Sequence, residues 1–194
     1  MKNRYITPDL FDRILRVSSS EDRALWILSA ETGFRIDDLL GIRQWQVPSE
    51  NRLTERFSEE NRPELTLIEA KTGNIRSVLL SDRALSALSE IWKNCPKRHP
   101  FKFLFPSRLT SGQPDTSQTT TKRKRKLHRS TAHRHFQRAV KKAGLSGNGY
   151  TVHSLRKIYA RNLYEKTQSV LAVQRDLGHA VTATTLLYVS DLKM

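Results

Sequence analysis

Hydrophobic residues recur at helical spacing along most of the chain. Thr7-Pro8-Asp9 is typical of a helix start, because threonine caps the first turn and proline fits the first helical position. The helix that follows carries an apolar stripe, which we expect to be buried, made of Leu10, Phe11, Ile14, Leu15 and Val17. The pattern predicts a second helix over 21–32, ended by Gly33, and a short third helix over 36–42.

Strand-like alternation is confined to the middle of the chain. Two β-leaning runs, 66–70 and 75–80, flank Lys71-Thr72-Gly73-Asn74, which predicts a hairpin with Lys71 in its turn. Polar residues over 109–126 predict a loop. Further helices are expected from Ser81 or Asp82 to Trp92, from a Ser130 cap to Ala143, from a Thr151 cap to about Tyr164, over 168–177, and from about Thr182 through Tyr188. The expected fold class is mainly α with a small antiparallel β-sheet (α+β).

Positive charge is concentrated in one quarter of the chain. The 194 residues include 34 Lys and Arg against 19 Asp and Glu, a net charge of +15. The segment 97–142 holds most of this excess, since Asp115 is its only acidic residue. Such clustering indicates a polyanionic partner, most often nucleic acid. The residues expected to contact DNA phosphates are Lys122, Arg123, Lys124, Arg125, Lys126, Arg129, Arg134, Arg138, Lys141 and Lys142.

Composition limits which other kinds of site the chain can contain. Cys95 is the only cysteine, which excludes an internal disulfide and any zinc site that needs two thiolates. His133 and His135 are two residues apart on a predicted helix and face different sides, so we expect no metal site and no cofactor. No run approaches the roughly 20 apolar residues that span a bilayer, so we expect no membrane association. The single cysteine suits a reducing compartment, so a soluble intracellular protein is expected.

Several polar residues could carry chemistry, although each one alone has an ordinary structural explanation. Arg35 lies three residues before Asp38, which could orient it or simply form a surface ion pair. His153 and Arg156 are at i and i+3 and share a helix face. Lysines at hairpin tips, such as Lys71, usually serve solubility.

The order of these residues resembles the tyrosine recombinase, or phage integrase, family. The matching elements run from Thr32-Gly33-Phe34-Arg35 through Lys71 in a hairpin, His-x-x-Arg at 153 and 156, and Leu-Gly-His at 177–179, to a tyrosine nine residues later. The resemblance covers about residues 6–188 and implies the catalytic-domain fold of that family. It also implies an active site made of Arg35, Lys71, His153, Arg156, His179 and Tyr188.

The chemistry that the resemblance implies suits these residue types. Arginines stabilise the charge that develops on a phosphate when a tyrosine attacks it, and Tyr188 is the nucleophile. His153 is the candidate base and Lys71 the candidate acid for the leaving 5′ oxygen. His179 would hydrogen-bond a phosphate oxygen or position Tyr188. DNA is the expected substrate, because a 2′-hydroxyl in RNA could attack the phosphotyrosine. Tyr159, six residues after His153, is expected to pack in the core.

The resemblance also leads to expectations about organisation. The family-like region begins almost at Met1, so we expect a single catalytic domain over 1–194 without the N-terminal core-binding domain of many relatives. Six residues follow Tyr188, which is short for a segment exchanged between subunits. We therefore expect a monomer without DNA and no ready assembly into a ring of four. The resemblance itself implies self-association on synapsed DNA sites, and a cytoplasmic, nucleoid-associated protein of bacterial, phage or mobile-element origin.

The expected function is site-specific DNA cleavage and rejoining through a covalent 3′-phosphotyrosine, as in integration, excision or inversion. A catalytically inactive DNA-binding regulator with the same fold is one alternative. A type IB topoisomerase is another, since it uses similar chemistry without a preferred site. An RNA-binding module is a more distant alternative, because no stacking-aromatic motif supports it.

Overall fold

Helices form most of the computed structural model, which describes residues 5–53, 57–58, 60–93, 102–107 and 125–178. In chain order they are α1 (Pro8–Arg16), α2 (Ser20–Thr32), α3 (Ile36–Leu40), α4 (Glu50–Leu53), α5 (Asp82–Lys93), α6 (Arg129–Lys142), α7 (Val152–Thr167) and α8 (Val170–Leu177). A 3₁₀ turn covers Gln44–Gln46, and strands β1 (Glu64–Ile68) and β2 (Ile75–Leu79) pair antiparallel. The predicted fold class, mainly α with a small antiparallel sheet, is confirmed.

Side-chain caps start the helices near the predicted positions. Thr7 caps α1 with Pro8 in its first turn, and Ser19 Oγ accepts the Asp22 N–H at 3.2 Å to start α2. At α7, Thr151 Oγ1 accepts the His153 N–H at 3.2 Å while Ser154 Oγ accepts the Thr151 N–H at 3.1 Å. This reciprocal capping box fixes the first turn of the helix that carries His153 and Arg156.

The core is built around α2, which packs against α5 and α7. Trp26 is fully buried, and the edge of its ring meets Phe136 of α6 with centroids 5.1 Å apart. Ala24, Leu25 and Leu28 of α2 have no exposed surface. Truncating one such leucine to alanine costs about 2 to 5 kcal/mol, because the cavity left behind cannot close fully. This packing holds the C-terminal end of α2 in place, and Gly33 and Arg35 follow directly after it.

The hairpin forms where the alternation predicted it. Ile68 pairs with Ile75, and the turn between them contains Lys71. Gly73 has φ +72° and its N–H bonds to the Glu69 carbonyl at 2.8 Å, a geometry that glycine adopts without strain. The hairpin therefore presents Lys71 at a defined place.

The prediction that Ser130 caps α6 is wrong. The helix begins at Arg129, and His128 Nδ1 accepts the Ser130 N–H at 3.3 Å. A neutral imidazole nitrogen is an acceptor, so it can take the role expected of a hydroxyl. Val17 also differs from the expectation, because α1 ends before it and leaves it 36% exposed. The predicted helix from Thr182 and most of the 109–126 loop lie outside the described residues.

Candidate active site

Arg35 stands at the junction between α2 and α3. Gly33 ends α2 with φ +64°, and Arg35 is the N-cap residue of α3, in extended conformation. Its side chain is 23% exposed, and its Nη1 lies 2.8 Å from Glu69 Oε2. The left-handed turn at Gly33 thus redirects the chain so that Arg35 projects toward the turn end of the hairpin, where Glu69 lies.

Arg156 lies in the interior beside Arg35. It is 2% exposed on α7, and its guanidinium donates to the Gly33 carbonyl and, at 2.5 Å, to the Leu177 carbonyl. Its Nη1 is also 3.8 Å from Glu69 Oε1. The side chain therefore connects the ends of α2 and α8 as well as facing the site.

Glu69 was not among the residues that the sequence singled out. It is 2% exposed and its carboxylate lies between Arg35 and Arg156. A signal for it does exist in the sequence. Leu65 and Leu67 face the core, and a period of two puts Glu69 on the same inward face. An acid at an inward position needs a buried partner, which here is a pair of arginines.

Asp38 has a different role from the one expected. Its Oδ1 accepts the Ala70 N–H at 3.0 Å, and the carboxylate oxygen found beside Arg35 belongs to Glu69. Asp38 is buried on α3, so this bond fixes the hairpin immediately before Lys71. The reason is geometric: the side chain at position 38, about one helical turn after Arg35, faces the hairpin backbone and not the Arg35 guanidinium.

One cavity of about 490 Å³ brings the predicted residues together. Four of the six predicted catalytic residues line it, namely Arg35, Lys71, His153 and Arg156. Asp37, Asp38 and Arg129 also belong to the lining, and Arg129 Nη1 is 3.4 Å from Asp37 Oδ2. Cations outnumber carboxylates in this lining, so the cavity suits an anion with several oxygens, such as a phosphate diester.

His153 lies at the cavity with part of its surface exposed to solvent. Loss of hydration on its protein-facing side lowers the pKa of the imidazole. The positive charges of Arg156, Lys157, Arg129 and Arg35 lower that pKa further, in this order. The ring is therefore neutral at pH 7 and available to accept a proton.

Tyr159 is held away from nucleophilic chemistry by its surroundings. It is half-buried, with its ring against Gly33, broadly as expected for a packed residue. Burial raises the pKa of its phenol, and the nearby Asp176 carboxylate raises it further. A phenol that resists ionisation is a poor nucleophile.

The expected DNA-contacting residues that the structure describes are at the surface. Arg125 and Lys126 are exposed beside the bridge between Pro106 and Lys126. Those on α6 are also exposed, namely Arg129, Arg134, Arg138, Lys141 and Lys142. Lys122, Arg123 and Lys124, and the predicted catalytic residues His179 and Tyr188, lie outside the described residues.

The described part of the chain offers neither a cluster of metal ligands nor a membrane-spanning helix. No cluster of three or more His, Cys, Asp or Glu side chains there could hold a metal ion. Within the same residues, no helix combines the length and apolar character needed to cross a bilayer.

The chain belongs to the phage integrase family, whose family model matches residues 4–194. An integrase/recombinase of Escherichia coli is 27% identical over 207 aligned residues, which cover 97% of this chain and 60% of that protein. This chain thus spans about three-fifths of that relative's length.

Solved structures share the fold. XerA recombinase superposes with a TM-score of 0.71 at 22% identity, over 100% of this chain and 64% of that one. A lambda integrase dimer bound to a COC′ core site superposes with a TM-score of 0.64 at 23% identity, over 100% of this chain and 49% of that one. The catalytic-domain fold expected from the sequence is therefore confirmed.

Proposed function

We propose that this chain acts as a catalytic domain that cleaves and rejoins DNA strands at specific sites through a covalent 3′-phosphotyrosine. The observation that carries the proposal is the convergence of Arg35, Lys71, His153 and Arg156 on one cavity. These residues come from three separate places in the chain, namely the start of α3, the hairpin turn and α7, so sequence proximity alone does not explain their meeting. Family membership and the recombinase names of the relatives support the same function.

The proposed first step exchanges one phosphate ester for another. The phenolic oxygen of Tyr188 forms a bond to phosphorus, and the bond from phosphorus to the 5′ oxygen breaks. His153, neutral at pH 7, accepts the phenol proton, and Lys71 donates a proton to the departing 5′ oxygen. The ester linkage is conserved, so the reverse reaction rejoins a strand without ATP.

The arginines stabilise the charge that builds up during this step. Two guanidinium groups, those of Arg35 and Arg156, offer planar forks of N–H donors to the nonbridging oxygens. Such fixed donors stabilise a transition state strongly, because they need little rearrangement when charge develops. His179 follows Gly178 directly in the chain and is proposed to bond a phosphate oxygen or to orient Tyr188.

Double-stranded DNA is the proposed partner, together with further copies of the chain on paired sites. The exposed basic residues of α6 and the tract 122–126 would contact phosphates on either side of the reacting one. The lambda integrase structure is of a dimer on its core site, which supports this assembly by analogy. Activity on DNA places the proposed site of action in the cytoplasm, at the nucleoid.

The test captures protein-linked DNA from cells. Wild type, Tyr188→Phe and Tyr164→Phe are expressed, cells are denatured rapidly, and DNA attached to the protein is sequenced. We expect DNA enriched at discrete loci with wild type and with Tyr164→Phe, a tyrosine of α7 outside the cavity lining, and loss of this DNA with Tyr188→Phe.

Three other outcomes would overturn the proposal. Wild type that captures no DNA would favour a DNA-binding regulator. Covalent DNA that persists in Tyr188→Phe would mean another nucleophile. Adducts without preferred loci, with relaxation of any supercoiled plasmid, would indicate a topoisomerase.

A further inference from the structure

A buried carboxylate, that of Glu69, lies between Arg35 and Arg156, two arginines that line the candidate active site. A phosphate bound there would bring more negative charge. Glu69 Oε2 is 2.8 Å from Arg35 Nη1 and accepts the Thr72 hydroxyl at 3.0 Å. Glu69 Oε1 is 3.8 Å from Arg156 Nη1 and has no hydrogen-bond partner among the described residues. Both oxygens thus face the guanidinium groups proposed to bind the DNA phosphate.

The charge of Glu69 has two opposing effects, one on the arginines and one on a bound phosphate. Two arginines this close would repel, and a carboxylate between them removes much of that cost. The same carboxylate repels an incoming phosphate that needs the same N–H groups. Burial alone would raise the pKa of Glu69, but its hydrogen bond to Arg35, the charges of both arginines and the Thr72 hydroxyl outweigh it and lower the pKa. The acid is therefore ionised wherever DNA is bound near pH 7.

We propose that Glu69 is a positioning residue that acts as an internal counter-anion: it holds Arg35 and Arg156 by charge pairing in the DNA-free protein and gives up part of that pairing to the phosphate of bound DNA. The proposal deepens the proposed function, on which its identification of the anion rests. It does not depend on the proposed role of Tyr188 as the nucleophile.

The proposal gives opposite signs for stability and for anion binding. Glu69→Gln keeps the size of the side chain and removes its charge. Without phosphate, this variant should unfold at a lower temperature than wild type, because the buried Arg156 and the partly exposed Arg35 lose their counter-charge. Added phosphate should raise the Tm of this variant more than that of wild type, because the anion no longer competes with a carboxylate for the arginines. We expect the apparent Kd for inorganic phosphate to fall about tenfold, which is the size of effect expected when one nearby repulsive charge is removed.

The experiment measures thermal unfolding against inorganic phosphate at constant ionic strength, held with chloride. Wild type, Glu69→Gln and Glu90→Gln are compared. Glu90 is the control, since it also pairs with an arginine, Arg23 at 3.1 Å, and that arginine does not line the cavity. We expect the phosphate-dependent rise in Tm to be larger in Glu69→Gln, and unchanged from wild type in Glu90→Gln. An equal rise in all three proteins would overturn the proposal.

A measurement on wild type alone covers the case in which Glu69→Gln does not fold. Carbon-13 labelling of the glutamate side chains lets NMR follow the Glu69 carboxylate through an acid titration. Phosphate that draws the arginines away should move the pKa of Glu69 upward, toward the ordinary value of about 4.3. A Glu69 titration that saturating phosphate leaves unchanged would also overturn the proposal.

Failure of this inference is separable from failure of the proposed function. The phosphate experiments need no strand cleavage, and the capture experiment needs no information about Glu69. Covalent DNA at Tyr188 with an equal phosphate response would remove the role of Glu69 alone. Lost capture with an enlarged response in Glu69→Gln would leave an anion site whose chemistry is not recombination.

Discussion

At the scale of single residues, Gly33 meets two demands at once. Its φ of +64° is one that residues with a Cβ rarely adopt, and a Cβ there would overlap ring atoms of Tyr159. Its carbonyl also accepts a hydrogen bond from Arg156. A larger residue would therefore disturb the packing of α2 on α7 and the position of a site arginine together.

Replacement of Gly33 by alanine should destabilise the protein more than the same change at Gly73. Both glycines have positive φ, but a Cβ at Gly73 has no atom within 4 Å. Gly73→Ala should therefore cost only the backbone strain, about 1 to 2 kcal/mol. Gly33→Ala should cost a further 1 to 3 kcal/mol or so, because the Tyr159 ring must move. Chemical denaturation of both variants checks this, and equal losses would show that the ring yields freely.

The sequence was a good guide to which residues meet, and a poor guide to how they are held. The family resemblance carried by the order of Arg35, Lys71, His153 and Arg156 implies a shared site, and the cavity brings these four together. The resemblance does not mark Glu69, whose arginine partners are remote in sequence. Proximity along the chain suggests Asp38 as the partner of Arg35, whereas Asp38 Oδ1 accepts the Ala70 N–H of the hairpin.

At the scale of elements, α6 divides into two faces. Ala132, Phe136, Ala139 and Val140 are buried, while Arg134, Arg138 and Lys141 are exposed. Positions 134, 138 and 141 fall within about 60° of one another around a helix of 3.6 residues per turn. These cations form a stripe that could follow one DNA strand.

Neutralising this stripe should flatten the dependence of DNA affinity on salt. If each of Arg134, Arg138 and Lys141 contacts one phosphate, the triple glutamine variant should lose about 2 to 3 units from the slope of log K against log salt. A matched triple variant at Arg52, Lys93 and Lys166, exposed on α4, α5 and α7, should keep the wild-type slope. Fluorescence anisotropy with a nonspecific duplex measures both. Equal slopes would remove α6 from the DNA contact surface.

Helices and the hairpin were predictable because local chemistry marks them. Thr7, Ser19 and Thr151 cap helices by their own side chains, and Gly33 and Gly178 end helices in left-handed conformation. The 3₁₀ turn at Gln44–Gln46 and helix α4 also have side-chain caps, since Gln46 Oε1 accepts the Arg43 N–H at 2.8 Å and Ser49 Oγ accepts the Arg52 N–H at 3.5 Å. Both are very short, and the turn is held in addition by strand-like pairing with a distant segment, as in the 2.9 Å bond from Gln44 N to Lys102 O, which local sequence does not predict.

At the scale of the whole molecule, net charge and the site act together on stability. The chain carries +15 at pH 7, so each proton taken up on acidification adds to repulsion. His153 has a lowered pKa in the folded state, so the unfolded chain binds that proton more readily. Its contribution to stability is present above the ordinary pKa of about 6.5 and is lost as pH falls through the lower folded value. Glu69 has the same sign near its own pKa, at more acidic pH.

The free energy of unfolding should therefore decline as pH falls from about 7 to about 5, and His153→Gln should make that decline shallower. Denaturant titrations at several pH values measure both slopes. Because Arg156, Lys157, Arg129 and Arg35 contribute to the shift, added salt should reduce the difference between the two proteins. A decline that is identical with and without His153 would contradict the lowered pKa.

The structural role of Arg156 predicts which site residues a descendant without strand-cleavage activity would keep. Its guanidinium joins the Gly33 and Leu177 carbonyls inside the fold, so a lineage that abandoned strand cleavage would still need it to fold. Mutational drift would be tolerated sooner at a hydroxyl used only for attack than at this crosslink. Possession of the arginine is thus a mark of ancestry and architecture, and inactive relatives should be sought by a missing tyrosine.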